Sequence, residues 1–171
     1  MAILPYKGVM PTIEENVFIA PGAMVIGNVT IREGASIWYN TVIRADTAPI
    51  VIGRHTNIQD NCTLHVDEDA PLSIGDLCTI GHGAIIHGAT LGDQVLVGMK
   101  AVVLSHAHIG SRTMIGACAL IGEYKDVPEG VLMLGVPAKY VRGLTAAEFE
   151  NLVTSAEEYY ERAQNHKKSL G

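Results

Sequence analysis

Histidine is the residue type with the clearest chemical potential in this chain. Seven histidines occur among its 171 residues, and His65, His82 and His87 lie close together in the sequence. Imidazole nitrogens bind zinc at about 2.0–2.1 Å, and a catalytic zinc site uses three protein ligands and one open position. The three histidines therefore predict a metal site, provided that the fold brings their rings together.

An aliphatic residue recurs along most of the chain, usually every six residues, and this repeat must position the histidines. The fourth residue after each aliphatic one is Ala, Val, Thr or Cys, except at Glu68 and Lys125. The spacing changes only at 43–52, 64–74 and 86–91, which indicates two inserted loops and one deletion. The aliphatic positions are Ile13, Ile19, Val25, Ile31, Ile37, Ile43, Ile52, Ile58, Leu64, Ile74, Ile80, Ile86, Leu91, Val97, Val103, Ile109, Ile115, Ile121 and Val127.

A large and a small inward residue in each short repeat predict a parallel β-helix, in which strands stack coil upon coil. Glycine directly follows the aliphatic residue eight times, and we expect it to give the corners a permissive backbone. An α-helix is excluded because six is not a multiple of 3.6 and β-branched residues dominate the repeat.

The repeat resembles the hexapeptide-repeat family, whose chains form left-handed parallel β-helices of triangular cross-section. The resemblance implies three repeats per coil, and therefore about six coils over residues 13–133, spaced by ~4.8 Å. The left-handed crossover, which departs from the usual right-handed rule, is also implied by the resemblance. GVPAK at 135–139 resembles the segment that closes such repeats. We expect an all-β solenoid with a lead-in at 1–12 and a β-helix domain at 13–140.

Residues 141–171 predict a C-terminal α-helix packed on the solenoid. Thr145 and Glu148 have the spacing of a capping box, and residues 146–168 are rich in Ala, Glu and Lys. A solenoid needs its sides and ends covered, so we expect a structural lid. Its apolar stripe would consist of Phe149, Leu152, Val153, Ala156 and Tyr160.

The repeat also places the histidines. His65 and His87 occupy the same place in neighbouring coils, so we expect their backbones ~4.8 Å apart, which allows both rings to bind one Zn²⁺. His82 lies near a different corner and is not expected to reach that ion within its own chain. A threefold assembly would supply it from a neighbouring subunit. By the same count, Arg44 lies beneath His65 and Asp60 beneath His82.

His65 together with GHGAIIHG at 81–88 resembles the γ-class carbonic anhydrases, as do IRAD at 43–46 and IQDN at 58–61. In that family, two histidines of one subunit and one of the next bind zinc in a trimer. The resemblance therefore implies a homotrimer with metal ligands His65, His82 and His87 at the subunit interfaces. It implies zinc as the cofactor, while Fe²⁺ and Co²⁺ also accept three imidazoles.

The implied activity is that of a carbonate dehydratase, a lyase in which a metal-bound hydroxide with a pKa near ~7 attacks CO₂. Gln59 is expected to orient the hydroxide. An interface salt-bridge network is expected of Arg44, Asp46 and Asp60, with direct chemistry as their second role. The best-studied type of this family relays protons through a glutamate in a long acidic loop. Here the loop at 65–73 is short, with Glu68 as the candidate relay, so we expect weak activity.

Two alternatives remain open. One is an acyl-CoA-dependent acyltransferase or thioesterase of the hexapeptide family, which would bind CoA derivatives in the same interface cleft. The other is a non-catalytic trimeric binding protein that keeps the metal as a staple between subunits. Metal content separates the carbonic anhydrase from the transferases, and activity of the metal-replete protein separates the enzymes from the staple.

Net charge, apolar stretches and cysteine spacing limit the possible binding partners and the cellular compartment. The net charge of −6 argues against nucleic acid and against anionic membrane surfaces. No stretch approaches the ~20 apolar residues of a membrane span, and the first residues do not resemble a signal peptide. The three cysteines lack CxxC spacing, which fits a reducing cytoplasm. We expect core packing for Cys62 and Cys78, and ordinary surface positions for His55, His106, His108 and His166.

Overall fold

The computed structural model describes residues 1–170 and contains a parallel β-helix with one C-terminal α-helix. Its helix, α1, spans Ala146–Ser169. The strands are β1 (Ala2–Leu4), β2 (Thr12–Ile13), β3 (Phe18–Ile19), β4 (Met24–Ile31), β5 (Ser36–Ile37), β6 (Val42–Ile52), β7 (Asn57–Ile58), β8 (Thr63–His65), β9 (Leu72–Ile74), β10 (Thr79–Ile80), β11 (Ile85–His87), β12 (Thr90–Leu91), β13 (Leu96–Val97), β14 (Val102–Val103), β15 (His108–Ile109), β16 (Met114–Ile115), β17 (Leu120–Ile121), β18 (Asp126–Val127), β19 (Val131–Leu134) and β20 (Lys139–Gly143).

One face is a stack of seven parallel strands in the order β3, β5, β7, β10, β13, β16 and β19. β20 pairs antiparallel with β19 and closes this stack. The remaining strands form a second, 12-stranded sheet. There are about seven turns instead of the expected six, because the repeat continues to Met133, which is buried and pairs with Ile115. A pattern restricted to Ile, Val and Leu misses this position.

The aliphatic residues of the repeat form the core, as predicted. Most of them, from Val25 to Ile121, are fully buried. The small inward position departs from prediction at two of the irregular steps, where Thr47 and Thr90 are exposed and their neighbours Ala48 and Ala89 are buried instead. Insertion and deletion shift the inward alternation by one residue at these points.

The corners and the glycines have different roles from those we expected. A positive φ recurs at the third residue after the aliphatic one, from Asn16 (57°) to Tyr124 (56°), and marks the corners. None of the eight glycines that directly follow an aliphatic residue has a positive φ. Seven of them are required by the close approach of coils, as at Gly53, where a Cβ would lie 2.2 Å from the carbonyl oxygen of Gly75, whereas a Cβ on Gly122 would meet nothing within 4 Å. Our expectation for these glycines was therefore wrong.

The predicted C-terminal helix is confirmed, and it packs against β3, β5, β7 and β10. Its capping box joins Thr145 and Glu148, and Arg142 donates two 2.8 Å hydrogen bonds to the Glu148 carboxylate. Arg142, together with the backbone N–H of Thr145, lowers the pKa of Glu148 to about 2. Within residues 1–170, no helix is both long and apolar enough to cross a membrane.

An aromatic cluster attaches the end of α1 to the first coils. Trp38 packs edge-on against Tyr159, with ring centroids 5.4 Å apart. The Tyr39 hydroxyl and His166 Nδ1 are 2.9 Å apart. His166 therefore takes part in helix docking, which corrects our expectation of an ordinary surface position.

Candidate metal centre

His65 and His87 project from neighbouring coils at the ends of β8 and β11. Each follows an inward aliphatic residue, so strand alternation turns its side chain outward. The register pairs the Cα atoms of the two histidines. His65 Nδ1 and His87 Nε2 are 2.9 Å apart, and the side chains are 21% and 28% exposed. Two imidazoles thus converge at one point on the outside of the β-helix.

Asp46 braces the ring of His65. Its Oδ1 lies 2.9 Å from His65 Nε2, and Arg44 pairs with Oδ2. Burial by itself would raise the pKa of Asp46, but the hydrogen bond from His65 and the charge of Arg44 hold it below its usual value. An ionised carboxylate only accepts hydrogen bonds. His65 Nε2 is therefore the donor in this contact.

The other nitrogen of His87 faces Asp67, which lies in the short acidic loop at 65–73, and Ser105, which the sequence did not identify. His87 Nδ1 lies 2.9 Å from Ser105 Oγ, and Ser105 donates a 2.7 Å hydrogen bond to Asp67 Oδ2. The register of Ile86 with Val103 places the residues after Val103 beside His87. Extending the coil count by one turn could therefore have found Ser105.

His82 lies at a different corner, after β10. Its Nδ1 is 2.8 Å from Asp60 Oδ2, and its side chain is 46% exposed. Gln59 is buried, and its amide oxygen accepts a 3.2 Å hydrogen bond from the backbone N–H of His82. The Gln59 Nε2 donates to Asn57 Oδ1 at 3.1 Å. The structure thus gathers Gln59, Asp60 and His82 on one corner.

The expected ligands do not meet within one chain. Among residues 1–170, no group of three or more His, Cys, Asp or Glu side chains is arranged to hold a metal ion. Each chain instead carries two separate parts, which we name the paired half-site (His65 and His87) and the single half-site (His82).

The acidic loop after β8 places Asp67 next to the paired half-site, with Oδ2 3.5 Å from His87 Nδ1. Asp69 lies 3.7 Å from His106 Nε2. Glu68, the candidate proton relay, is exposed, and within the described chain no ion pair joins it to another side chain.

The remaining histidines and the cysteines make other contacts. His55 stacks on Tyr160 and His106 on Tyr124, with ring centroids 4.4 and 4.5 Å apart, so both have packing partners that we did not expect. His108 is exposed, as expected. Burial raises the pKa of the Cys62 and Cys78 thiols to about 12, which agrees with core packing, while Cys118 is exposed.

The chemistry of the paired half-site fits a metal cation. With both rings donating from their outer nitrogens, to Asp46 and toward Ser105, the inner nitrogens would present two lone pairs across 2.9 Å, where one cation can bind both. Two tetrahedral zinc ligands at 2.0–2.1 Å would be ~3.3 Å apart, close to this separation. Carboxylates behind the ligating histidines are typical of zinc sites. The pair therefore suits two of three zinc ligands.

The stacked repeats define this chain as a hexapeptide-repeat protein. The family described as bacterial transferase hexapeptide (six repeats) matches residues 10–45 and 88–123. A carbonic anhydrase of Geobacillus kaustophilus is 44% identical over 96% of this chain and 91% of its own length. The mitochondrial gamma carbonic anhydrase 2 of Arabidopsis thaliana is 41% identical over 91% of this chain, which spans only 58% of that relative. The chain belongs to the γ-class carbonic anhydrase-like group of the hexapeptide-repeat family.

A solved structure shares nearly the whole fold. It is a Bacillus cereus protein provisionally described as an acetyltransferase, with a TM-score of 0.96 and 39% identity. The match covers 99% of this chain and 98% of that one. The names of these similar proteins thus point to two chemistries on one scaffold.

Proposed function

We propose that this protein is a homotrimeric zinc-dependent carbonic anhydrase that interconverts CO₂ and bicarbonate. In this proposal, His65 and His87 of one subunit and His82 of a neighbouring subunit hold the metal. The identities of 41% and 44% to carbonic anhydrases support the activity. We further propose a reducing compartment, the cytoplasm, because all three cysteines are free thiols.

The observation that carries the proposal is the division of the histidines. The paired half-site offers two converging nitrogens 2.9 Å apart, whereas His82 is held at another corner by Asp60. A catalytic zinc site needs three protein ligands. A symmetric trimer would join the paired half-site of each subunit to the single half-site of the next, giving three equivalent sites.

The residues around the two half-sites have distinct tasks in this proposal. A zinc ion held there would act as a Lewis acid and would lower the pKa of a bound water molecule toward ~7. Asp46 orients the ring of His65, and Asp60 orients that of His82. Gln59 orients the reacting water, while its hydrogen bond with the His82 backbone keeps its amide at the interface. Arg44 ties the paired half-site to the neighbouring subunit.

The test measures zinc content, CO₂ hydration and molar mass on one preparation. We expect a trimer with about one zinc per subunit and hydration that depends on the metal. His82→Ala should lower both zinc content and hydration, whereas His108→Ala, a change at an exposed histidine away from both half-sites, should alter neither.

Two outcomes would contradict the proposal in different ways. A zinc-loaded monomer, detected by light scattering, would rule out a site shared between subunits. A zinc-loaded trimer that hydrates no CO₂ in any buffer would rule out the enzyme and favour a metal staple. If the purified protein contains iron or cobalt instead of zinc, only the identity of the metal in the proposal changes.

Acyl transfer to or from CoA, or hydrolysis of its thioesters, is the second candidate function. It is favoured by the 39% identity to the Bacillus cereus protein and by the transferase family match. Acyltransferases of this fold generally use a histidine base without a metal. Acyl-CoA turnover that persists after complete removal of zinc would favour this candidate over the carbonic anhydrase.

A further inference from the structure

We infer that Ser105, hydrogen bonded between Asp67 and His87, is a positioning residue that fixes which nitrogen of His87 faces the metal. The inference rests on the proposed metal site and concerns one of its ligands. It assigns the loop after β8 a structural task that differs from proton relay by Glu68.

The direction of each hydrogen bond follows from counting protons. Ser105 Oγ lies 2.7 Å from Asp67 Oδ2 and 2.9 Å from His87 Nδ1. A serine hydroxyl has one proton, and an ionised carboxylate can only accept. The hydroxyl proton therefore goes to Asp67, and the serine oxygen offers a lone pair to His87. Asp67 Oδ2 also faces His87 Nδ1, at 3.5 Å.

These acceptors decide the form of the His87 ring. A neutral imidazole has one N–H group, and the acceptors around Nδ1 place it there. The lone pair then lies on Nε2, the atom that faces His65 across 2.9 Å. In the opposite tautomer Nε2 would carry a hydrogen and could not bind a metal. Ser105 and Asp67 thus keep His87 ready as a ligand.

The surroundings of Ser105 protect this arrangement. Ser105 is only 5% exposed, so water competes little for its hydroxyl. Gly88, directly after His87, leaves room for that hydroxyl, because a Cβ there would lie 3.0 Å from Ser105 Oγ. The loop that carries Asp67 is closed by an isolated bridge between Asp67 and Ala70, which holds the backbone of Asp67 near the serine, while its side chain is 54% exposed.

The same loop offers a matched control. Asp69 is 80% exposed and points to His106, not to Ser105. Asp67→Asn and Asp69→Asn therefore remove the same charge from the same loop, but only the first weakens the acceptor of the Ser105 hydroxyl, because an amide oxygen is a weaker acceptor than an ionised carboxylate. Asp67→Glu keeps a carboxylate and should retain most of the zinc affinity.

The experiment measures zinc affinity of the full-length protein by competition with a chromophoric chelator. Ser105→Ala should weaken zinc binding by ~10–100-fold, the usual cost of losing an outer-shell partner of a metal ligand. Asp67→Asn should cost about tenfold, the lower end of that range, because the Asp67 side chain is 54% exposed and an amide keeps one acceptor oxygen. Asp69→Asn should stay within about threefold of wild type, because exposed charges contribute little. Because the two residues act through the same series of hydrogen bonds, the double variant Ser105→Ala/Asp67→Asn should lose no more zinc affinity than the weaker-binding of the two single variants.

Thermal unfolding of each metal-free variant separates positioning from damage to the fold, and the absorption spectrum of bound Co²⁺ reports the ligand geometry directly. Equal zinc affinity in wild type, Ser105→Ala and Asp67→Asn would overturn the inference, as would fully additive losses in the double variant. The affinity ratios do not involve CO₂. A wild type that binds zinc without hydrating CO₂ would therefore refute the proposed enzyme and leave the measured role of Ser105 intact.

Discussion

The paired and single half-sites differ in how firmly the fold holds them. At the paired half-site, both rings contact each other and a hydrogen-bonded acid network, and the side chains are 21% and 28% exposed. At the single half-site, His82 is 46% exposed and is braced by Asp60. Adjacent coils are locked in register by backbone hydrogen bonds. The fold can therefore place two histidines together on stacked strands, whereas in the proposed function the third ligand would come from a neighbouring subunit.

The largest predicted effect is complementation between defective chains. His65→Ala and His82→Ala should each abolish zinc binding at their sites, because a three-ligand site loses one ligand. When the two variants are co-expressed in equal amounts, about a quarter of the sites should combine an intact paired half-site with an intact single half-site. Zinc content and hydration of the mixed trimers check this.

The control for this experiment carries both changes in the same chain. The double variant His65→Ala/His82→Ala, expressed alone, should recover neither zinc binding nor hydration. If zinc content and hydration do not recover in the mixture of single variants, each metal site is built within one subunit. The distinction between paired and single half-sites would then be wrong.

A smaller effect is expected from the carboxylates behind the ligands. Asp46→Asn should weaken zinc binding by ~10–100-fold, because Asp46 bonds to His65 and also to Arg44. Asp60→Asn should cost only a few-fold, because a carboxylate contact to a half-exposed ring is weakened by water. Chelator competition measures both. Equal losses would mean that the two half-sites are braced with the same strength.

Proton transfer gives a third contrast, in the dependence of hydration on buffer. Glu68→Gln should slow CO₂ hydration a few-fold in low buffer and little in high concentrations of an imidazole-type buffer that carries the proton instead. Gln59→Ala should slow it at every concentration, because Gln59 acts on the reacting water and not on the exported proton. Stopped-flow hydration across a buffer series measures both. An identical buffer dependence of the two variants would contradict their assigned roles.

The smallest effect should be on the fold itself. In the presence of a chelator, His82→Ala and His87→Ala should change the free energy of unfolding by less than ~0.5 kcal/mol, because both rings point outward and no core residue is removed. Circular dichroism and thermal unfolding check this. Large losses of stability without metal would show that the half-sites also hold the solenoid together.

The sequence predicted the stack well because a β-helix is nearly one-dimensional. Each coil contacts its neighbours in a fixed register, so counting residues was enough to bring His65 beside His87 and Asp60 beside His82. The capping box of Thr145 and Glu148 was equally local, and it is present. Counting was least reliable where the repeat is irregular, as at Thr47 and Thr90, since one inserted or deleted residue reverses the inward alternation.

Only the tertiary structure decided the contacts made by loops and by the docked helix. The hydrogen bond from Ser105 to Asp67 depends on the conformation of the loop after β8, and that of Tyr39 with His166 joins residues far apart in the chain. The glycines after the aliphatic residues were recognisable by type, but their purpose depends on the distance between coils. Backbone register follows from periodicity, whereas side-chain partners depend on packing in three dimensions, which periodicity does not encode.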